Sequence, residues 1–165
     1  MDMMRQKSLD EHLDSLLGTY FFMGVGIMEP VENIHDVLTM PAERVVRITD
    51  PVTINEYSYK VAQYMIYLQQ QHNIYEALYH QLDHRAKMLY ARKLSETENV
   101  KGKRSVTERK AQIMQDPELV SIYEQMNEAA VRIKLLDDLV DRCNELLNVL
   151  KRVHDDLVRE RKLVS

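Results

Sequence analysis

The chain has 165 residues, 45% hydrophobic and 29% charged, which suits one domain or one with a small appendage and excludes a disordered or membrane-embedded chain. Four glycines and four prolines are too few for an all-β fold, and a lone cysteine, Cys143, excludes an internal disulfide framework and fits a reducing cytoplasm. The net charge of −4 hides its distribution: residues 85–110 carry nine basic against three acidic side chains, while the stretches on either side are acidic.

No basic stretch precedes an apolar run at the N-terminus, so no secretory signal is read there. Ser8 and Glu11 form a capping box ahead of Leu9, Leu13, Leu16, Leu17 and Tyr20, a short amphipathic helix. Gly24, Gly26, Pro30, Pro41 and Pro51 then punctuate the chain. A second short helix fits residues 31–39, and Arg44-Val45-Val46-Arg47-Ile48 reads as a brief extended segment. Residues 1–50 are therefore expected to form an appendage of short helices, and residues 51–165 a long helical hairpin.

The hairpin's first helix is signalled by Thr53 and Glu56, spaced as a capping box. Ile54, Val61, Leu68, Tyr75, Leu82 and Leu89 recur every seventh residue, with Tyr57, Tyr64 and Leu78 between them. The pattern predicts a helix to about Ser95, roughly 60 Å long at 1.5 Å per residue. A polar loop near Asn99–Arg104 follows. Ser105 and Glu108 then cap a lead-in helix, and Asp116-Pro117 reads as the N-cap and first residue of the last helix, with a kink where Pro117 lacks an amide.

The last helix carries two heptad series. Leu119, Met126, Ile133, Val140 and Leu147 form one; Ile122, Ala129, Leu136, Cys143, Leu150 and Leu157 form the other. Leu119, Met126, Ile133, Leu136, Val140, Cys143, Leu147 and Leu150 are the expected core or oligomer contacts. Val120, Tyr123, Leu135, Leu139, Leu146, Val149 and Val153 lie off that seam and call for a further partner, the N-terminal segment or a neighbouring chain. The expected architecture is all-α: a long antiparallel helical hairpin with a helical N-terminal appendage, homo-oligomeric.

His80 with His84, and Glu32 with His35, are incomplete donor sets for zinc or a di-iron centre, so neither a metal nor another cofactor is expected. Gly24-Val25-Gly26 lacks the rest of a phosphate loop, and Cys143 sits at a core position, so the chain is not read as an enzyme. Of the nine tyrosines, Tyr57, Tyr64 and Tyr75 fall on the apolar stripe; Tyr90, among basic neighbours, is read as a stacking platform for a nucleic-acid base. The basic island comprises Arg85, Lys87, Arg92, Lys93, Lys101, Lys103, Arg104, Arg109 and Lys110, and with Tyr90 it is the candidate single-stranded-DNA-binding surface.

Three stretches carry a family resemblance: Thr53-Ile54-Asn55-Glu56-Tyr57 on through Tyr64–Leu68; Lys101–Arg104 with Ser105, Glu108, Lys110 and Asp116; and Leu139-Val140-Asp141-Arg142-Cys143 on to Leu147, Val149, Leu150, Lys151 and Arg152. In their order they resemble the recombination mediator proteins of T4-like phages, over about residues 50–155. Residues 1–50 look like an addition to that pattern, and the family's C-terminal extension is shortened. The resemblance implies a helical, ring-forming homo-oligomer of the DNA recombination machinery in a host cytoplasm. It further implies binding to single-stranded DNA, displacement of a single-strand-binding protein and loading of a recombinase. The family's DNA-contacting character falls on Lys101, Lys103, Arg104, Arg109 and Lys110. The alternative is a phage structural or host-interaction coiled coil that binds no DNA and docks an acidic protein through the same basic residues.

Overall fold

A computed structural model describes residues 29–98 and 105–164. These are all-α, with no strand among the described residues. In chain order the helices are α1 (Ile34–Leu38), α2 (Ala42–Val46), α3 (Pro51–Glu98), α4 (Val106–Met114) and α5 (Pro117–Val164). The expected helix after Ser8 and the loop near Asn99–Arg104 lie outside the described residues.

Both long helices begin in the same way. Asp50 Oδ1 accepts a hydrogen bond from the Val52 amide (3.1 Å), and its Oδ2 accepts from the Thr53 amide (3.2 Å) and hydroxyl (2.8 Å). Pro51, whose missing N–H costs nothing at a first helical position, follows the cap. The start is thus Asp50-Pro51, and Thr53, expected to cap, lies inside the first turn. Asp116 repeats the device, its Oδ1 accepting from the amides of Glu118 (3.0 Å) and Leu119 (3.4 Å) ahead of α5. Each of α3 and α5 runs for 48 residues.

The described residues fall into two compact units. One holds Asn73–Lys134, and the other Ile27–His72 with Leu135–Ser165. In the first, α3 contributes Leu78, Leu82, Ala86 and Leu89 to a core completed by Ile113 of α4 and by Leu119, Ile122, Met126 and Ala129 of α5. Arg132 of α5 donates from Nη1 to the Tyr75 hydroxyl (2.8 Å), its guanidinium carbon 5.2 Å from that ring's centroid. Tyr75 thus faces Arg132 while Arg85 faces Glu118, so the two helices run antiparallel within this unit.

In the second unit Val37 of α1 is buried with Val61, Leu68 and Cys143, and Val45 of α2 with Ile54 and Leu150. His72 Nε2 approaches Asp137 Oδ1 at 3.3 Å, again in antiparallel register. Burial pushes both the Cys143 thiol and the Tyr64 hydroxyl above their ordinary titration ranges.

The core expectations divide by depth. Leu119, Met126, Cys143 and Leu150 are buried, whereas Ile133, Leu136, Val140 and Leu147 are half-buried. Of the off-seam residues, Tyr123, Leu146, Val149 and Val153 pack against these cores. Val120, Leu135 and Leu139 remain exposed.

One local expectation is overturned. Arg44–Ile48 is not extended: Ala42–Val46 is a helical turn, with the Arg44 and Val45 amides donating to the Pro41 carbonyl at 2.9 and 3.2 Å. Valine favours strands only where a pleated neighbour awaits it. No strand is available among the described residues, and a turn aims Val45 at Ile54 and Leu150.

Candidate nucleic-acid interface

The basic residues that can be placed lie on the C-terminal part of α3 and on α4, all in the unit Asn73–Lys134. On α3, Arg85 and Arg92 stand two turns apart and so share a helix face. That face meets the start of α5. Arg85 Nη2 lies 3.1 Å from Glu118 Oε1, and Arg92 Nη2 lies 4.0 Å from Glu118 Oε2. Arg92 Nε also approaches Glu96 Oε1 at 3.8 Å. Lys93 Nζ is 2.5 Å from Asp116 Oδ2, the same carboxylate group that caps α5. Lys87 Nζ is 2.6 Å from Asp83 Oδ2, one turn earlier on α3.

These pairs alter the titration of their members. The hydrogen bond from Lys93 holds the Asp116 carboxyl below the ordinary carboxylate range, against some desolvation. The same bond raises the Lys93 ammonium, and the Asp83 bond raises that of Lys87. A cation already bonded to a carboxylate must give up that bond, or share it, before it meets a phosphate. Counting Asp83, Asp116 and Glu118 with the island sets six acidic side chains against nine basic ones and halves the excess positive charge.

The remaining cations sit further along. Ser105 Oγ accepts from the Glu108 amide (3.2 Å), and Glu108 Oε2 accepts from the Ser105 amide (2.9 Å), so a full capping box fixes the first turn of α4. Arg109 and Lys110 follow directly. Lys110 is exposed; Arg109 is half-buried, with an Nε that finds no hydrogen-bond partner. Neither makes an ion pair with a described carboxylate. Lys101, Lys103 and Arg104 lie outside the described residues.

Tyr90 belongs to the core as well as to the basic island. It is half-buried and packs against the core formed by Leu82, Leu89 and their neighbours, because it follows Ala86 by one turn on the same stripe. Its ring therefore packs on the core, as do those of Tyr75 and Tyr79, while the residue stays half-exposed. The acidic counterions do not show in the island as a linear segment, because they come from elsewhere in the chain. In an antiparallel pair each step forward on one helix is a step back on the other, so residues facing Arg85–Lys93 come from just beyond α4. Asp116 and Glu118 stand there.

Among the described residues no three His, Cys, Asp or Glu side chains converge as a metal site would require. No described helix is long and apolar enough to cross a membrane. Compared with known proteins, the chain matches no family model, no curated protein and no solved structure.

Proposed function

We propose that this protein is a non-catalytic, homo-oligomeric recombination mediator that binds single-stranded DNA and helps load a recombinase in place of a single-strand-binding protein. The observation that carries the reading is the position of Arg109 and Lys110. They stand in the first turns of a firmly capped helix, directly after the basic run Lys101, Lys103 and Arg104, and no described carboxylate neutralises them. Five cations within ten residues suit the backbone of a flexible strand, which is bound by charge with little regard to base sequence. Assembly would multiply that surface, several subunits contacting one strand at once.

A heptad-spaced stripe on α3 supports self-association. Val52, Tyr59 and Ile66 are 62%, 65% and 58% exposed, each seven residues from the next, and all lie within the unit holding Ile27–His72. Such a stripe suits the seam of a coiled coil whose other half is absent among the described residues.

The deciding measurement is fluorescence anisotropy of a labelled oligothymidylate titrated with protein, repeated across salt. Binding at about 50 mM salt with a log–log salt slope of about −0.7 per phosphate neutralised is the expected result. Arg109→Glu with Lys110→Glu flattens that slope without loss of helicity, since Lys110 is exposed and the bond that Arg109 gives α4, from its amide to the Ser105 carbonyl, belongs to the backbone and survives the change. The rival reading, a phage structural or host-interaction coiled coil, is favoured by the ion pairs Arg85–Glu118 and Lys93–Asp116, which give those cations a structural use. It expects no strand affinity in the unaltered protein, and that outcome sinks the mediator reading.

A further inference from the structure

A second charged surface lies in the unit holding Ile27–His72, and none of its residues belongs to the basic island. A cleft of about 460 Å³ is bounded by the turn before α1, the link from α1 to α2, and the second and third turns of α3. Its volume falls in the range of small-molecule sites, about 300–1,000 Å³. Its lining is mixed in charge: Arg44 from α2 and Lys60 from α3 face the same space as Asp36 from α1.

The three charges stay apart. Neither Arg44 nor Lys60 pairs with Asp36 or with any other described carboxylate, although Glu43 adjoins Arg44 and Glu56 lies one turn before Lys60. The contrast with the basic island is sharp, where Arg85, Lys87, Arg92 and Lys93 all have acidic partners. Opposite charges that share a cleft without closing on each other leave a gap that suits a ligand carrying both an anionic group and a hydrogen-bond donor.

The neutral groups fit the same ligand. Asn33 is the only described non-glycine residue with positive φ (57°), and although it occupies the N-cap of α1 its side chain makes no capping bond. Its carboxamide therefore keeps two donors and an acceptor for the cleft it lines. The Tyr57 ring is held between the two cores of this unit, while its hydroxyl has no described partner. Met40 and Pro41 supply apolar lining near it. A rigid aromatic residue beside apolar side chains is a preorganised resting place for a flat ring.

We infer that this cleft binds a nucleoside monophosphate, with its phosphate on Arg44 and Lys60, its base against Tyr57 and Met40, and its sugar or base donors on Asp36 and Asn33. Arg44 presents a fork that matches phosphate oxygens, and Lys60 adds a point charge. Asp36, which only accepts hydrogen bonds when ionised, selects for the nucleoside part over the bare anion.

Calorimetric titration of the full chain with adenosine 5′-monophosphate, inorganic phosphate and adenosine tests the assignment. The monophosphate is expected to bind more tightly than either part. Arg44→Gln and Lys60→Gln should each weaken it about tenfold, the effect of losing one hydrogen bond to a charged group. Asp36→Asn should weaken the monophosphate while leaving phosphate affinity unchanged. All three variants should keep the parent's melting curve, since none of the three side chains is buried. Absence of monophosphate binding, or binding indifferent to Arg44→Gln and Lys60→Gln, overturns the site. Phosphate binding alone, with no gain from the nucleoside and no effect of Asp36→Asn, overturns the nucleotide assignment. The Arg109→Glu, Lys110→Glu protein should retain monophosphate binding, which separates this inference from the strand-binding reading.

Discussion

Asp116 does two jobs with one carboxylate: it caps α5 and bonds Lys93. Asn at this position keeps the cap, so Asp116→Asn isolates the ion pair. Because the folded-state pKa of Asp116 is depressed, its contribution is full above the unfolded value, about 3.9, and disappears as pH falls through the folded one. Lys93 is raised, so its share is present below the ordinary lysine range and is lost as pH climbs through the folded value. The variant should therefore be less stable than the parent near neutrality, by under about 1 kcal/mol for a pair partly open to water. Thermal melts across pH should show the gap closing below about pH 4; a gap that persists there would assign the loss to the cap. The cap itself was legible in the sequence, because Asp-Pro is a local signal. The bridge was not, because it joins residues 23 positions apart.

The long helices could be read from their heptads, since 48 residues repeat the pattern often enough to outweigh any single exception. Even so, Ile74 is almost fully buried without belonging to the series built on Ile54 and Leu68, because a 3.6-residue helix drifts against a seven-residue repeat. The five-residue helix α2 offers too few positions for any period to show, and its valines point to a strand. What fixes it is tertiary: Val45 is 2% exposed against Ile54 and Leu150. Val45→Ala should cost about 2 kcal/mol in chemical denaturation, through lost burial and the cavity left behind. An unchanged midpoint would mean that α2 adds nothing to the fold of its unit. The same packing bears on removal of residues 1–50, which uncovers Ile54 and Val61 as well as shortening the chain.

At the scale of the molecule, the exposed stripe Val52, Tyr59 and Ile66 on α3 is the expected contact between copies of the chain. Tyr59→Lys combined with Ile66→Lys places two like charges on a seam that coiled-coil partners must dehydrate. Sedimentation velocity should show the parent as an oligomer and the variant at lower mass. Their melting curves, taken at high dilution, should agree because both side chains are exposed in the single chain. A parent that sediments as a monomer would leave the stripe without this role.

The paired helix starts have a chemical consequence. Asp50-Pro51 and Asp116-Pro117 are the chain's only Asp-Pro bonds, and this linkage is the peptide bond that dilute acid hydrolyses most readily. The scission uses the aspartyl carboxyl as an internal nucleophile, and in the folded protein both carboxyls are occupied by amide protons. Acid hydrolysis should therefore wait on the opening of each helix start and yield Met1–Asp50, Pro51–Asp116 and Pro117–Ser165, with one long helix in each of the last two. In acid the bond from Lys93 to Asp116 is lost with the carboxylate's charge, so the order of cutting follows which helix start opens first. Mass spectrometry of the timed digest would turn the order of cutting into a clock for which helix begins to fray first.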